Sequence, residues 1–218
     1  MAANIITLGR ILLSFVAIAL FYGGFSWRIA AVLLTILIIY LDSLDGIVAR
    51  KLGLASDFGA LFDITGDRIV EHVYWIFFTA AGLVSFWVPI IYVSRGFLVD
   101  SLRTVAFSKE GKTPFGEKSM MRSRLTYYLT ASRISRAIYG VGKVTVFVLL
   151  GIILIFKKAS PEIIQWFPAG FFDYLWLATQ ILVWIVVAMN LIRGLPVLWD
   201  GRYYLFDKKF PRELKDDN

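Results

Sequence analysis

Four aspartates at short, helix-compatible intervals are the residues of this chain best placed to do chemistry. Asp42 and Asp45 stand three apart, and Asp63 and Asp67 stand four apart. On a helix either interval puts both carboxylates on one face. Gly46 and Ala49 share the face of the first pair and Gly59 lies four residues before Asp63, so small residues leave room beside the acids. The connection between Lys51 and Asp57 is short enough to make the two bearing helices antiparallel neighbours, which lets the four carboxylates converge. An ionised aspartate at the centre of a spanning helix costs roughly 2.5–3.5 kcal/mol, so a cluster of them calls for a cation. The chain has no cysteine, and its one histidine, His72, stands outside the cluster. A site built from oxygen alone suits Mg2+ or Mn2+ before Zn2+, and such ions complete their shells with water and substrate phosphate. Phosphoryl chemistry is the expectation. The alternatives are that the acids pair with Arg50, Lys51 and Arg68 at a membrane surface, or line a proton or cation path; ordinary interfacial pairs do not require Gly and Ala beside them.

The elements that must hold these residues are apolar. Of 218 residues 58% are hydrophobic and only 18% charged, and the mean hydropathy is +0.70, too high for a domain that covers itself with polar groups. Without cysteine the chain is not a disulfide scaffold, and thiol nucleophiles are excluded. Apolar runs at residues 5–22, 27–49, 60–84, 86–107, 137–156 and 171–195 are each about the length that crosses a bilayer. They predict an all-α, polytopic integral membrane protein with six transmembrane helices, one domain over residues 1–218, and no room for a separate soluble catalytic domain. The first run carries Arg10 and lacks a cleavage pattern, so it is read as a span. Lys and Arg concentrate in the connections after the second and fourth runs and in the tail at about 200–218, with Lys208, Lys209, Arg212 and Lys215. That asymmetry predicts a multi-pass protein of the cell (inner, cytoplasmic) membrane, with both termini and the acidic site, at the ends of helices two and three, in the cytoplasm. Residues 108–130 read as a basic loop or an interfacial helix, irregular at Gly111, Pro114 and Gly116. The net charge of +7 points to membrane lipids and phosphates as partners, with no nucleic acid. Trp27, Trp87, Trp166 and Trp199 fall where the spans end and read as interfacial anchors.

Asp42-x2-Asp45-Gly46-x2-Ala49-Arg50-x8-Gly59-x3-Asp63-x3-Asp67 resembles the complete signature of the CDP-alcohol phosphotransferases, integral membrane enzymes of phospholipid synthesis. Eight specified residues over 26 positions are matched, and the likeness extends in detail over residues 4–67 and more loosely to Arg103. The resemblance implies that Asp42, Asp45 and Asp63 coordinate Mg2+ or Mn2+, and that Asp67 is the general base and also touches metal. Gly46, Ala49 and Gly59 would give the nucleotide room, and Arg50 would bind its pyrophosphate. Asn4, Thr7 and Arg10 are similar to the polar opening of the first span in the glycerol-phosphate branch of the family, where such residues flank the nucleotide; for Arg10 snorkelling to headgroups is the equal alternative. The run from Arg95 to Arg103 is similar to a stretch of phosphatidylglycerophosphate synthases, with Gly96 where that branch has Glu. Arg95, Arg103, Arg133, Arg136 and Lys143 would form the pocket for an acceptor phosphate.

The activity so implied is transfer of the phosphatidyl group of CDP-diacylglycerol, or the corresponding group of an archaeal CDP-lipid, to a small polar alcohol phosphate with release of CMP. The first acceptor is sn-glycerol 3-phosphate and the second an inositol phosphate. A homodimer is also implied. The rival from another class is an ion-coupled transporter, which predicts inverted repeats, and none is apparent. Arg193 reads more readily as a helix-end anchor than as a pocket residue, and His72 as a satisfied core group. Glu71, which continues the four-residue stripe of Asp63 and Asp67, is expected to pair with Arg95 or another pocket cation.

Overall fold

The computed structural model describes residues 2–51, 57–110, 121 and 123–205; within these ranges the side chains of 2–3, 42–51, 57–58, 60–61, 110, 124, 131, 133 and 205 are not described. All regular structure among the described residues is helical: α1 (Ala2–Phe21), α2 (Phe25–Lys51), α3 (Asp57–Ala80), α4 (Trp87–Glu110), α5 (Arg124–Ala131), α6 (Arg133–Phe156), α7 (Pro161–Ile164) and α8 (Phe171–Leu205). The six apolar runs correspond to α1, α2, α3, α4, α6 and α8. Three stretches, Asn4–Phe21, Leu125–Phe156 and Phe171–Tyr204, are long and apolar enough to cross a membrane, and Phe25–Leu41 is a shorter apolar stretch. Asp63, Asp67, Arg68 and Glu71 interrupt α3, and Arg95, Asp100 and Arg103 interrupt α4. Several long apolar helices mark a membrane protein.

Helix ends differ from the apolar runs for local reasons. α3 stops at Ala80, four residues before its run does, because Gly82 takes the left-handed conformation at φ +71°. The Gly82 N–H then donates to the Thr79 carbonyl at 2.9 Å and the Leu83 N–H to that of Phe78 at 2.9 Å, closing the helix in a Schellman turn. α8 runs the other way, past Arg193-Gly194-Leu195-Pro196, where the apolar run ends, to Leu205. Pro196 removes one intrahelical hydrogen bond, yet Val197 next to it is fully buried in a cluster with Val99, Leu102, Ala106 and Tyr204. That packing carries the helix through the proline, and residues 201–205, expected to begin the tail, are its last turn. The basic tail residues Lys208, Lys209, Arg212 and Lys215 lie outside the described residues, as do Gly111, Pro114 and Gly116. At the end of the basic stretch, α5 is a short helix started by a capping box, in which Thr126 N–H donates to Ser123 Oγ at 3.1 Å and Ser123 N–H to Thr126 Oγ1 at 3.2 Å.

The chain divides into two compact units, residues 1–91 with 141–186, and residues 92–140 with 187–218. In the first, α1 packs on α2 and α3. Its centre is aromatic: Tyr74 stacks on Phe147 at 5.1 Å, Trp75 meets the same ring edge-on at 4.9 Å, and Phe21 stacks on Phe77 at 5.2 Å. The Tyr74 hydroxyl is hydrogen-bonded to Thr35 Oγ1 at 2.8 Å, which satisfies the polar end of a fully buried ring. Arg28, also buried, donates to the carbonyl oxygens of Gly23 and Leu154, tying the turn before α2 to the last turn of α6. In the second unit, Thr126 Oγ1 donates to the buried Asp200 at 2.8 Å and joins α5 to α8.

Candidate active site

The acidic face of α3 is built by its contact with α1. Thr7 is 2% exposed, and a Cβ placed on Gly66 would come within 2.5 Å of its Cγ2, so the two helices meet where only a hydrogen fits. Arg10 follows Thr7 by three residues, on the same face of α1. Gly66 lies between Asp63 and Asp67, and the close approach brings the Arg10 guanidinium onto both. Nη2 donates to Asp63 Oδ1 at 3.0 Å and Nη1 to Asp67 Oδ1 at 3.2 Å. The Arg10 side chain is 3% exposed while those of Asp63 and Asp67 are 43% and 50% exposed, so Arg10 is turned inward to the acids and does not snorkel. One turn on, Glu71 is buried and accepts from Lys143 Nζ at 2.9 Å and from Arg68 Nη1 at 3.0 Å. Three described carboxylates on α3 are thus met by three side-chain cations, which is how such charges persist inside an apolar helix.

Sequence-predicted residues are brought together in part. Arg10, Asp63 and Asp67 share one cluster, with Thr7 packed beside it, and Lys143 joins the same stripe through Glu71. Glu71 finds its cation in Lys143, one of the expected pocket residues. Asn4 and Gly59 are partly buried in the same unit. Asp42, Asp45, Gly46, Ala49 and Arg50 all lie on the helical backbone of α2, which keeps the expected three-residue spacing of the acids, but their side chains are outside the described ones. Among the described residues no three acidic or histidine side chains gather as a metal site. Asp63 and Asp67 nevertheless fit a cation: two carboxylates one turn apart already aim an oxygen each at a single positive group.

Arg95, Arg103, Arg133 and Arg136 belong to the second unit, Lys143 to the first. Arg95 is buried and lies against Gly194, where an added Cβ would meet its Nε at 2.6 Å and its Cγ at 2.8 Å. Arg103 pairs with Asp100 at 3.5 Å, Arg136 is exposed, and the Arg133 side chain is outside the described ones. Arg193 corrects the expectation of a helix-end anchor. It sits well inside α8, 8% exposed, donates to Ser135 Oγ at 2.5 Å, and lies 5.2 Å from the centroid of Tyr139, whose hydroxyl donates to Asn190 at 3.1 Å. Gly66, Ser135 and Gly194 are parts of these sites that pattern reading passes over, while Arg68, read as a possible partner of the aspartates, pairs with Glu71. For Gly66 the available signal is its place between two acids on one helix face.

A helical membrane protein with an acidic, cation-holding face on its third helix is the class these features define. The chain matches the CDP-alcohol phosphatidyltransferase family over residues 1–192, and it belongs to that family. The match is to a family of transferases and goes against the ion-transport alternative. Among its relatives is the CDP-diacylglycerol–glycerol-3-phosphate 3-phosphatidyltransferase of Bacillus subtilis, 30% identical over 115 residues, which are 47% of this chain and 60% of that protein. A probable phosphatidylglycerophosphate synthase of Mycobacterium tuberculosis is 33% identical over 116 residues, 51% of this chain and 55% of its own. The similarity therefore spans less than two thirds of either relative. A CDP-diacylglycerol–glycerol-3-phosphate 3-phosphatidyltransferase of Rickettsia typhi is 26% identical over 192 residues, 88% of this chain and 91% of its own.

Proposed function

We propose that this chain transfers the phosphatidyl group of CDP-diacylglycerol to sn-glycerol 3-phosphate and releases CMP. The observation that carries the reading is the convergence of Asp63 and Asp67 on one cationic position, in a family member whose relatives bear the glycerol-3-phosphate name. Asp42, Asp45, Asp63 and Asp67 would hold Mg2+ or Mn2+. When bound, such an ion supplies charge neutralisation of the pyrophosphate and stabilises CMP as a leaving group. Asp67, half-exposed beside the buried Arg10, takes the proton of the acceptor hydroxyl. The hydroxyl oxygen attacks the lipid-bearing phosphorus as the bond to CMP breaks, and no covalent enzyme intermediate is needed. Gly46, Ala49 and Gly59 leave room for the nucleotide, and Arg50 binds its pyrophosphate, with Asn4 and Thr7 beside it. Arg95, Arg103, Arg133, Arg136 and Lys143 recognise the phosphate of the acceptor. The buried setting of Arg95 favours this role, since a desolvated guanidinium binds a phosphate strongly.

In this reading α1, α2, α3, α4, α6 and α8 are six spans of a cell membrane in a single domain, with both termini and the ends of α2 and α3 that carry the aspartates in the cytoplasm. The exposure of Trp27, Trp87, Trp166 and Trp199, between 55% and 88%, supports their place in the interfacial belts. The protein works as a homodimer. The experiment is CMP release by purified protein in detergent with CDP-diacylglycerol and Mg2+ or Mn2+, offering sn-glycerol 3-phosphate, inositol phosphate, free inositol and serine in parallel. Release with sn-glycerol 3-phosphate alone is the expected result; release with another acceptor instead reassigns the substrate, and silence with all four overturns the reading.

A further inference from the structure

Arg10 occupies a position that a resident metal would contest. Its side chain is almost wholly buried, and its two terminal nitrogens each take one oxygen of Asp63 and Asp67. A guanidinium withdrawn from water depends on such partners for its charge. A divalent ion held by the same two carboxylates would stand near that guanidinium, which is itself 3% exposed, and like charges that close repel. The two cations therefore compete. The backbone of Arg10 is not free to retreat, because Thr7, one turn earlier, is packed against Gly66. Only the side chain can yield, and an arginine has the rotatable length to do so.

We propose that Arg10 is an exchangeable counter-cation: it holds Asp63 and Asp67 while no divalent ion is bound, gives them up when one binds, and turns its guanidinium to the diphosphate of the CDP-lipid. This rests on the metal reading above and adds an order and a coupling to it. Displacing Arg10 weakens the binding of a divalent ion to the empty enzyme, and a diphosphate, by giving the arginine a new anion, recovers what was lost. Metal and CDP-lipid then bind with positive coupling, and linkage makes the effect reciprocal. The arginine also keeps the acids compensated in the metal-free protein, so that an apolar helix bundle tolerates them before substrate arrives.

The test is Mn2+ binding, read from the electron paramagnetic resonance of free Mn2+, with purified protein in detergent, alone and with CDP as the probe for the diphosphate. Arg10→Met should bind Mn2+ about tenfold tighter than the wild type in the absence of CDP. In the same variant the gain on adding CDP should shrink, and CDP affinity at saturating Mn2+ should fall. These changes have opposite signs, which a merely structural role of Arg10 would not produce. Arg10→Lys keeps the charge but cannot fork onto both acids, so it should also bind Mn2+ more tightly than the wild type, and it decides the matter if Arg10→Met does not fold. Unchanged or weaker Mn2+ binding in the folded variant overturns the exchange. If the wild type takes up no Mn2+, or Asp63→Asn binds it as the wild type does, the metal reading itself fails, and the exchange with it.

Discussion

Asp67 and Arg95 are the side chains on which the proposed reaction turns most directly. Asp67→Asn keeps the shape and removes the base, so kcat should fall by about 100-fold or more while CDP-lipid binding is retained; normal turnover in that variant would remove Asp67 from the role. Arg95→Ala should raise the KM for the acceptor by roughly 10- to 100-fold, the worth of a hydrogen bond to a charged group, with the KM for the CDP-lipid little changed. Equal loss for both substrates would place Arg95 outside an acceptor pocket. Lys143 is held by a buried glutamate, so the anion-binding role proposed for it depends on Glu71. The acids, with their one-turn spacing, could be read from the sequence, because helical periodicity alone decides which residues share a face. The partner of Glu71 could not, since Lys143 is 72 residues away in the chain and reaches it only through packing.

At the level of the elements, the contact of α1 with α3 decides whether Arg10 can reach its acids. Gly66→Ala should lower stability by about 1 kcal/mol, because overpacking at the Thr7 methyl costs roughly 1–3 kcal/mol and the gain in helix propensity returns part of it. Adding Thr7→Ser removes the methyl group that the new Cβ would meet and should restore most of the loss, measured as the melting midpoint in detergent of the single and double variants. Gly194→Ala pushes Cβ into the Arg95 side chain and should move the acceptor KM in the same direction as Arg95→Ala, by a smaller factor. Six long helices were legible in the apolar runs to within a few residues at most ends. The exception is α8, where Arg193-Gly194-Leu195-Pro196 carries every local sign of a helix end. Burial of Val197 overrides those signs, and local propensity contains no term for such a contact.

For the molecule as a whole, metal and membrane set the expected behaviour. Chelation with EDTA should abolish CMP release, with recovery on adding Mg2+ or Mn2+; activity undiminished by EDTA would sink the metal assignment. Mean hydropathy, cysteine content and the order of apolar runs already determined a helical membrane protein, since burial of backbone polar groups in lipid leaves a helix as the simple solution for runs of this length. The eight-residue motif pointed to the family for a similar reason: its residue types recur at helical intervals, and intervals are written in one dimension. What only the tertiary structure decided is which charges meet. The pairing of Arg10 with Asp63 and Asp67, of Lys143 with Glu71, and the placing of Arg95 against Gly194 join residues dozens of positions apart. Each depends on how closely two helices approach, and that distance is set by small residues and side-chain volumes at the contact, quantities that no spacing along the chain encodes.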